Sequence, residues 1–76
     1  MNYENYKYFK VVVKGKYART LLVGTRYECE ETVVQTAFDC GLLREEECKK
    51  ATVKRVEYES EEYNQLEDDL DFLDCE

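Results

Sequence analysis

The last 21 residues of the chain hold ten carboxylates and no base: Glu57, Glu59, Glu61, Glu62, Glu67, Asp68, Asp69, Asp71, Asp74 and Glu76. Carboxylates can coordinate cations, work as acid and base, or face a basic surface on another molecule. The residues around them narrow that choice. The stretch DDLDFLDCE is dense in acids but lacks the sixth-position glycine of a calcium loop, so no dedicated metal site is expected. The chain has no histidine, and therefore lacks the usual base near neutral pH. It carries no glycine-rich phosphate loop, nucleophile elbow or metal-ligating helix motif. No catalytic residue and no cofactor is expected. The cysteines, Cys29, Cys40, Cys48 and Cys75, form no C-x-x-C pair, which argues against zinc. If Cys29 and Cys40 share a helix, about 16 Å separates them and they cannot bridge. Buried thiols are expected, with Cys75 the most exposed.

The elements that must position the acids can be read from periodicity. Residues 6–14, YKYFKVVVK, alternate Phe9, Val11 and Val13 with Tyr8, Lys10 and Val12, which predicts a strand. Gly15-Lys16 supplies a tight turn, and residues 17–27 predict a second strand with Leu21 and Val23 on one face and Gly24 at a bulge. Residues 28–41 predict a helix, with Glu28, Glu30 and Glu31 in its first turn. Val33, Val34, Ala37 and Phe38 form its apolar face, and Gly41 follows its end. REEECKKA predicts a short second helix with Glu45–Lys49 and Glu46–Lys50 pairs. Residues 51–59 predict a third strand at a sheet edge. The expected fold class is α+β: a small three-stranded antiparallel sheet in the order strand, strand, helix, helix, strand, helix, with the helices packed on one face. Residues 1–76 form a single domain.

Residues 60–76 are expected to be an acidic amphipathic C-terminal helix. Ser60 is a good N-cap, and Glu61 and Glu62 suit the first turn. Tyr63, Leu66, Leu70 and Leu73 recur every three or four residues and make an apolar stripe. The acids at the far end oppose the helix dipole with no base to offset them, so the helix needs its stripe buried or its acids matched by a partner.

The net charge of −7 divides sharply along the chain. All eleven Lys and Arg residues lie at or before Arg55, giving residues 1–55 a net of +3 against −10 for residues 56–76. Acids spaced along one helix face resemble the dense negative row of a nucleic-acid backbone. In size, charge and tyrosine content, with the acidic run at residues 57–76, the chain resembles small phage-borne inhibitors of the anti-CRISPR and DNA-mimic kind. That resemblance rests on overall character and matches no motif. It implies a non-enzymatic protein that blocks a basic nucleic-acid-binding site on a larger protein, a nucleic-acid-binding enzyme or complex. The expected partner-binding residues are Glu57, Glu59, Glu61, Glu62, Tyr63, Glu67, Asp68, Asp69, Asp71 and Asp74, with Tyr58 a further aromatic anchor. Two alternatives stand beside it. One is self-association as a homodimer, with the acids serving solubility. The other is direct nucleic-acid binding by the basic, aromatic hairpin of residues 6–19. No apolar run reaches membrane-spanning length and no secretory h-region is present, so a cytoplasmic protein with no membrane partner is expected.

Overall fold

The computed structural model describes residues 6–16, 18–26 and 29–73. Strand β1 (Lys7–Val13) pairs antiparallel with β2 (Arg19–Thr25), from Lys7 opposite Thr25 to Val13 opposite Arg19. Gly15 takes φ 117° in the connecting turn, a region that L side chains avoid. On the other side of β1 lies β3 (Ala51–Val56), also antiparallel. Helices α1 (Val33–Asp39) and α2 (Glu45–Cys48) connect β2 to β3. After β3 come helix α3 (Glu61–Leu66), a 3-10 turn (Glu67–Asp69) and a short strand β4 (Leu70–Phe72). The α+β class and the edge position of β3 are as expected.

The sheet itself differs from the expectation. It has four strands in the order β3-β1-β2-β4, and β4 runs parallel to β2. The fourth strand comes from the acidic segment, which is therefore not one helix over residues 60–76. Ser60 does cap α3, its Oγ accepting from the Tyr63 N–H at 3.2 Å. Past Leu66 a continued helix would stack further acids on the negative end of its dipole with no base in reach. The chain instead tightens into the 3-10 turn and extends along the outer edge of β2, whose backbone groups supply partners. The Leu73 N–H donates to the Gly24 carbonyl at 2.8 Å.

Alternation along β1 gives the sheet two apolar faces. Phe9, Val11 and Val13 join Val23, Val33, Ala37, Leu43 and Leu73 in one cluster beneath α1. Tyr6 and Tyr8 join Leu22, Val56 and Tyr63 in a second, flanked by Leu66 and Leu70, beneath α3. The helices thus cover both faces rather than one, because Tyr8, alternating with Phe9, needs a cover of its own. The stripe of Tyr63, Leu66, Leu70 and Leu73 does turn inward. It divides, however: the strand alternation of β4 sends Leu73 to the opposite cluster from the other three.

Local details refine the other elements. Gly41 follows α1 with φ 83°, its N–H reaching the Phe38 carbonyl, while the Leu42 N–H reaches that of Ala37 at 2.9 Å. Helix α1 starts at Val33, later than expected. Before it, Thr32 Oγ1 accepts from the Cys29 N–H and donates to the Cys29 carbonyl, closing a turn that holds Glu30 and Glu31; Glu28 is outside the described residues. Phe38 is exposed, so Val33 and Ala37 carry the buried face of α1. Helix α2 is a single turn ending at Cys48, too short to span the expected Glu45–Lys49 and Glu46–Lys50 pairs. The acid it uses is Glu47, which accepts from the Arg19 guanidinium at 2.9 and 3.0 Å and from the Arg44 N–H at 2.9 Å. Two thiols depart from the buried state expected of them: Cys29 is exposed and Cys48 half-buried, both free. Cys40, half-buried at the C-cap of α1, is disulfide-bonded rather than a thiol. Cys75 lies outside the described residues. Among the described residues no helix is long and apolar enough to cross a membrane.

Gly24 marks no bulge, since the β1–β2 ladder runs through it unbroken, opposite Tyr8. A Cβ there would lie 3.0 Å from the rings of both Phe72 and Tyr8. Glycine is required because β4 and the tyrosine cluster close directly onto the backbone. Gly24→Val is expected to destabilise the protein by about 1–3 kcal/mol through overpacking, read by urea denaturation. A change within about 0.5 kcal/mol, the range of neutral surface substitutions, would contradict this packing.

Candidate acidic interaction surface

Beyond Val56 the chain makes a tight turn in which Glu59 takes φ 59°, a left-handed conformation uncommon for a residue with a side chain. The turn folds α3 back across the sheet face of Tyr8. Tyr63 seats there, its ring centroid 5.0 Å from that of Tyr8 in an edge-to-face contact. Tyr58 stacks on Tyr8 at 5.4 Å and meets Tyr63 edge-on at 5.1 Å. On the β4 side, Phe72 meets Tyr6 edge-on at 5.2 Å. These aromatic contacts hold the acidic segment to the sheet by apolar burial, a force that does not depend on its charge.

The carboxylates are displayed on that scaffold. Glu57, Glu59, Glu61, Glu67, Asp68, Asp69 and Asp71 are all exposed. Glu62 is half-buried and accepts from Lys10 Nζ at 2.8 Å. Among the described residues it is the one carboxylate of this surface that meets a base within the fold. Tyr63 is only 7% exposed and belongs to the core, so it positions the surface rather than contacting a partner. Tyr58, at 39% exposure, and Phe72, at 40%, are the aromatic rings of this segment left at the rim. Asp74 lies outside the described residues.

The structure gathers these acids into groups. Glu57, Glu61 and Glu62 border a shallow groove of about 560 Å³ between the end of β3 and α3, with Arg55, Ser60 and Gln65 completing it. Arg55 leans across Phe9, its guanidinium carbon 5.7 Å from the ring centroid. The groove sets three acids against one base, and one of the three, Glu62, is already paired with Lys10. Glu67, Asp68 and Asp69 crowd one 3-10 turn, and Asp71 stands on the edge strand β4. A regular helical row of acids is therefore not formed. Arg55, Ser60 and Gln65 were not marked by the sequence, whose charge pattern drew attention to the acids alone. No cluster of three or more metal-ligating side chains is placed to hold an ion among the described residues.

Within this acidic segment two groups are shifted from their ordinary values. The Lys10 hydrogen bond holds Glu62 below the ordinary 4.5, outweighing partial burial, and the charges of Lys10 and Lys54 assist. Burial pushes Tyr63 above 10.0, with the Tyr58, Glu67 and Glu59 charges adding to the shift and a hydrogen bond to Tyr8 opposing it. The hairpin face proposed for stacking on bases is largely spent in these contacts: Tyr8 is buried beneath Tyr63, and Lys10 holds Glu62.

No protein-family model, curated protein or solved structure matches this chain. The surface must therefore be read from its own chemistry.

A depressed carboxylate contributes stability that is present above its unfolded value of 4.5 and lost as pH falls through the lower folded value. Lys10→Met is expected to return the Glu62 midpoint toward 4.5 in an NMR pH titration, to lower stability above pH 4.5, and to remove the Glu62 share of the stability lost on acidification. An unchanged Glu62 midpoint in that variant would contradict the pairing.

Proposed function

We propose that this chain is a non-enzymatic binding protein whose acidic surface occupies a basic, nucleic-acid-binding site on a larger protein, in the manner of anti-CRISPR and DNA-mimic inhibitors. The supporting observation is the ordered display of Glu57, Glu59, Glu61, Glu67, Asp68, Asp69 and Asp71: exposed, and unmatched by any base of the fold among the described residues. Carboxylates kept this close repel one another, and each loses its hydration at a cost when covered unless a cation replaces the water. A basic groove on a partner supplies such cations. The acidic groove beside Glu57 and Glu61 takes an Arg or Lys from the partner, with Tyr58 packing at its edge. Attraction between opposite charges speeds encounter and weakens as salt rises.

A second reading is favoured by the topology. β3 is the end strand of the sheet, so Ala51–Val56 offers an edge along which a second copy can pair. In that reading the acids keep the chain soluble. Solution mass across a concentration series separates the two, since a tight dimer through β3 supports self-association.

Charge reversal of Asp68, Asp69 and Asp71 together to lysine tests the first reading. All three are exposed, so the circular dichroism spectrum is expected to persist. In pull-downs from the native host, the unaltered chain is expected to retain a nucleic-acid-binding protein that is released by competing oligonucleotide and by salt. The triple variant is expected to retain none. Equal retention by the triple variant would overturn the proposal.

A further inference from the structure

Five of the eleven basic residues gather at the opposite end of the sheet, where the β1–β2 turn meets the loop between α1 and α2. A groove of about 780 Å³ opens there, bordered by Lys14, Lys16, Arg19, Arg44 and Lys50 with Glu46 and Glu47. The groove lining holds five bases against two acids, in a chain whose net charge is −7. The bases come from three separate segments and are held close by the backbone. The Lys14 N–H donates to the Lys50 carbonyl at 3.2 Å. The Lys50 side chain then lies over Gly15, with its Cδ and Nζ each 3.3 Å from where a Cβ would stand. Across the groove, Arg19 is fixed by Glu47 and by the Leu42 carbonyl, to which it donates at 2.6 Å. Glu47 is held below 4.5 first by that Arg19 bond and then by the Arg44 N–H, so it stays charged and anchors the arginine.

Glu47 is taken up by Arg19, which leaves Glu46 as the one other acid facing Lys14, Arg44 and Lys50, an excess of positive charge that a further anion would relieve. We propose that the groove binds a compact oligophosphate group, of the kind carried by a nucleoside di- or triphosphate or by successive nucleic-acid phosphates. Arginine forks and lysine ammoniums together match several phosphate oxygens. The cavity is within the range of small-ligand sites, roughly 300–1,000 Å³. Its apolar lining is limited to Val13 and Leu42 beside Gly41, with no aromatic ring, so it recognises charge and not the identity of a base. The proposal does not depend on the acidic surface, which lies on other elements and has its own test.

Titration calorimetry on the whole chain at low salt, with inorganic triphosphate as the probe, tests it. Binding is expected, and Lys14→Ser with Lys50→Ser is expected to weaken it by about tenfold or more. Both side chains are exposed, so the thermal midpoint should hold; Arg44→Ser provides a second, independent variant. ATP and a single-stranded oligonucleotide form parallel arms. Whichever binds tighter identifies the natural source of the phosphates, and either supports the site. No binding of any of these probes at millimolar concentration overturns the proposal, as does equal binding by the unaltered chain and both variants. Low-salt self-association that the groove variants abolish, with triphosphate unbound, also overturns it by assigning the groove to the acidic segment of a second copy.

Discussion

The contact of Tyr63 with Tyr8 joins the acidic half of this chain to its basic half, and most of the structure depends on it. A segment of ten acids without a base gains nothing from association within itself. The Lys10–Glu62 bridge helps, but it is partly open to water, where such pairs contribute little. Aromatic packing is the stronger term. An edge-to-face pair is worth about 0.5–1.5 kcal/mol beyond the area it buries, and Tyr63 makes two such contacts, with Tyr8 and Tyr58. Apolar burial thus fixes a surface that electrostatics alone would push apart.

The same constraint explains the unusual second half of the fold. Once Tyr63 is seated, Leu66 and Leu70 reach the same cluster only if the chain crosses toward β2. At that edge β4 pairs in parallel, and Leu73 passes over to the other face, where it packs under α1's side of the sheet. Gly24 permits this by leaving room for the Phe72 and Tyr8 rings. The acids are then left outside on a helix, a 3-10 turn and a strand. Their spacing is irregular, unlike the even row a single helix would give.

Much of the fold was legible in the sequence. Alternation in residues 6–14 and the apolar face of residues 17–27 marked the hairpin, and Ser60 and Gly41 marked helix ends that the structure bears out. The apolar stripe from Tyr63 to Leu73 named residues that do turn inward, with Tyr63 and Leu66 on a helix as expected but Leu70 and Leu73 beyond its end. Over eleven residues, a spacing of three, four and three also fits a short helix followed by a turn and a strand, and periodicity alone cannot choose between them. The deciding facts were non-local: an unpaired edge on β2 and an uncovered Tyr8 on the second face. The exposed acids were readable as a class, whereas the groove joining Glu57 to Glu61 depends on how α3 crosses the end of β3. The basic groove was equally hidden, because Lys14, Arg44 and Lys50 meet only after the sheet has formed.

An acidic surface can imitate anything only if it has a fixed shape. Native-state amide hydrogen exchange across residues 61–73 measures that directly. The amides of Tyr63, Asn64 and Leu73, bonded to Ser60 Oγ, the Ser60 carbonyl and the Gly24 carbonyl, are expected to exchange far more slowly than an unstructured chain. Exchange of all three at unstructured rates, with the β1–β2 hairpin still protected, would make this segment a loose tail and contradict the account.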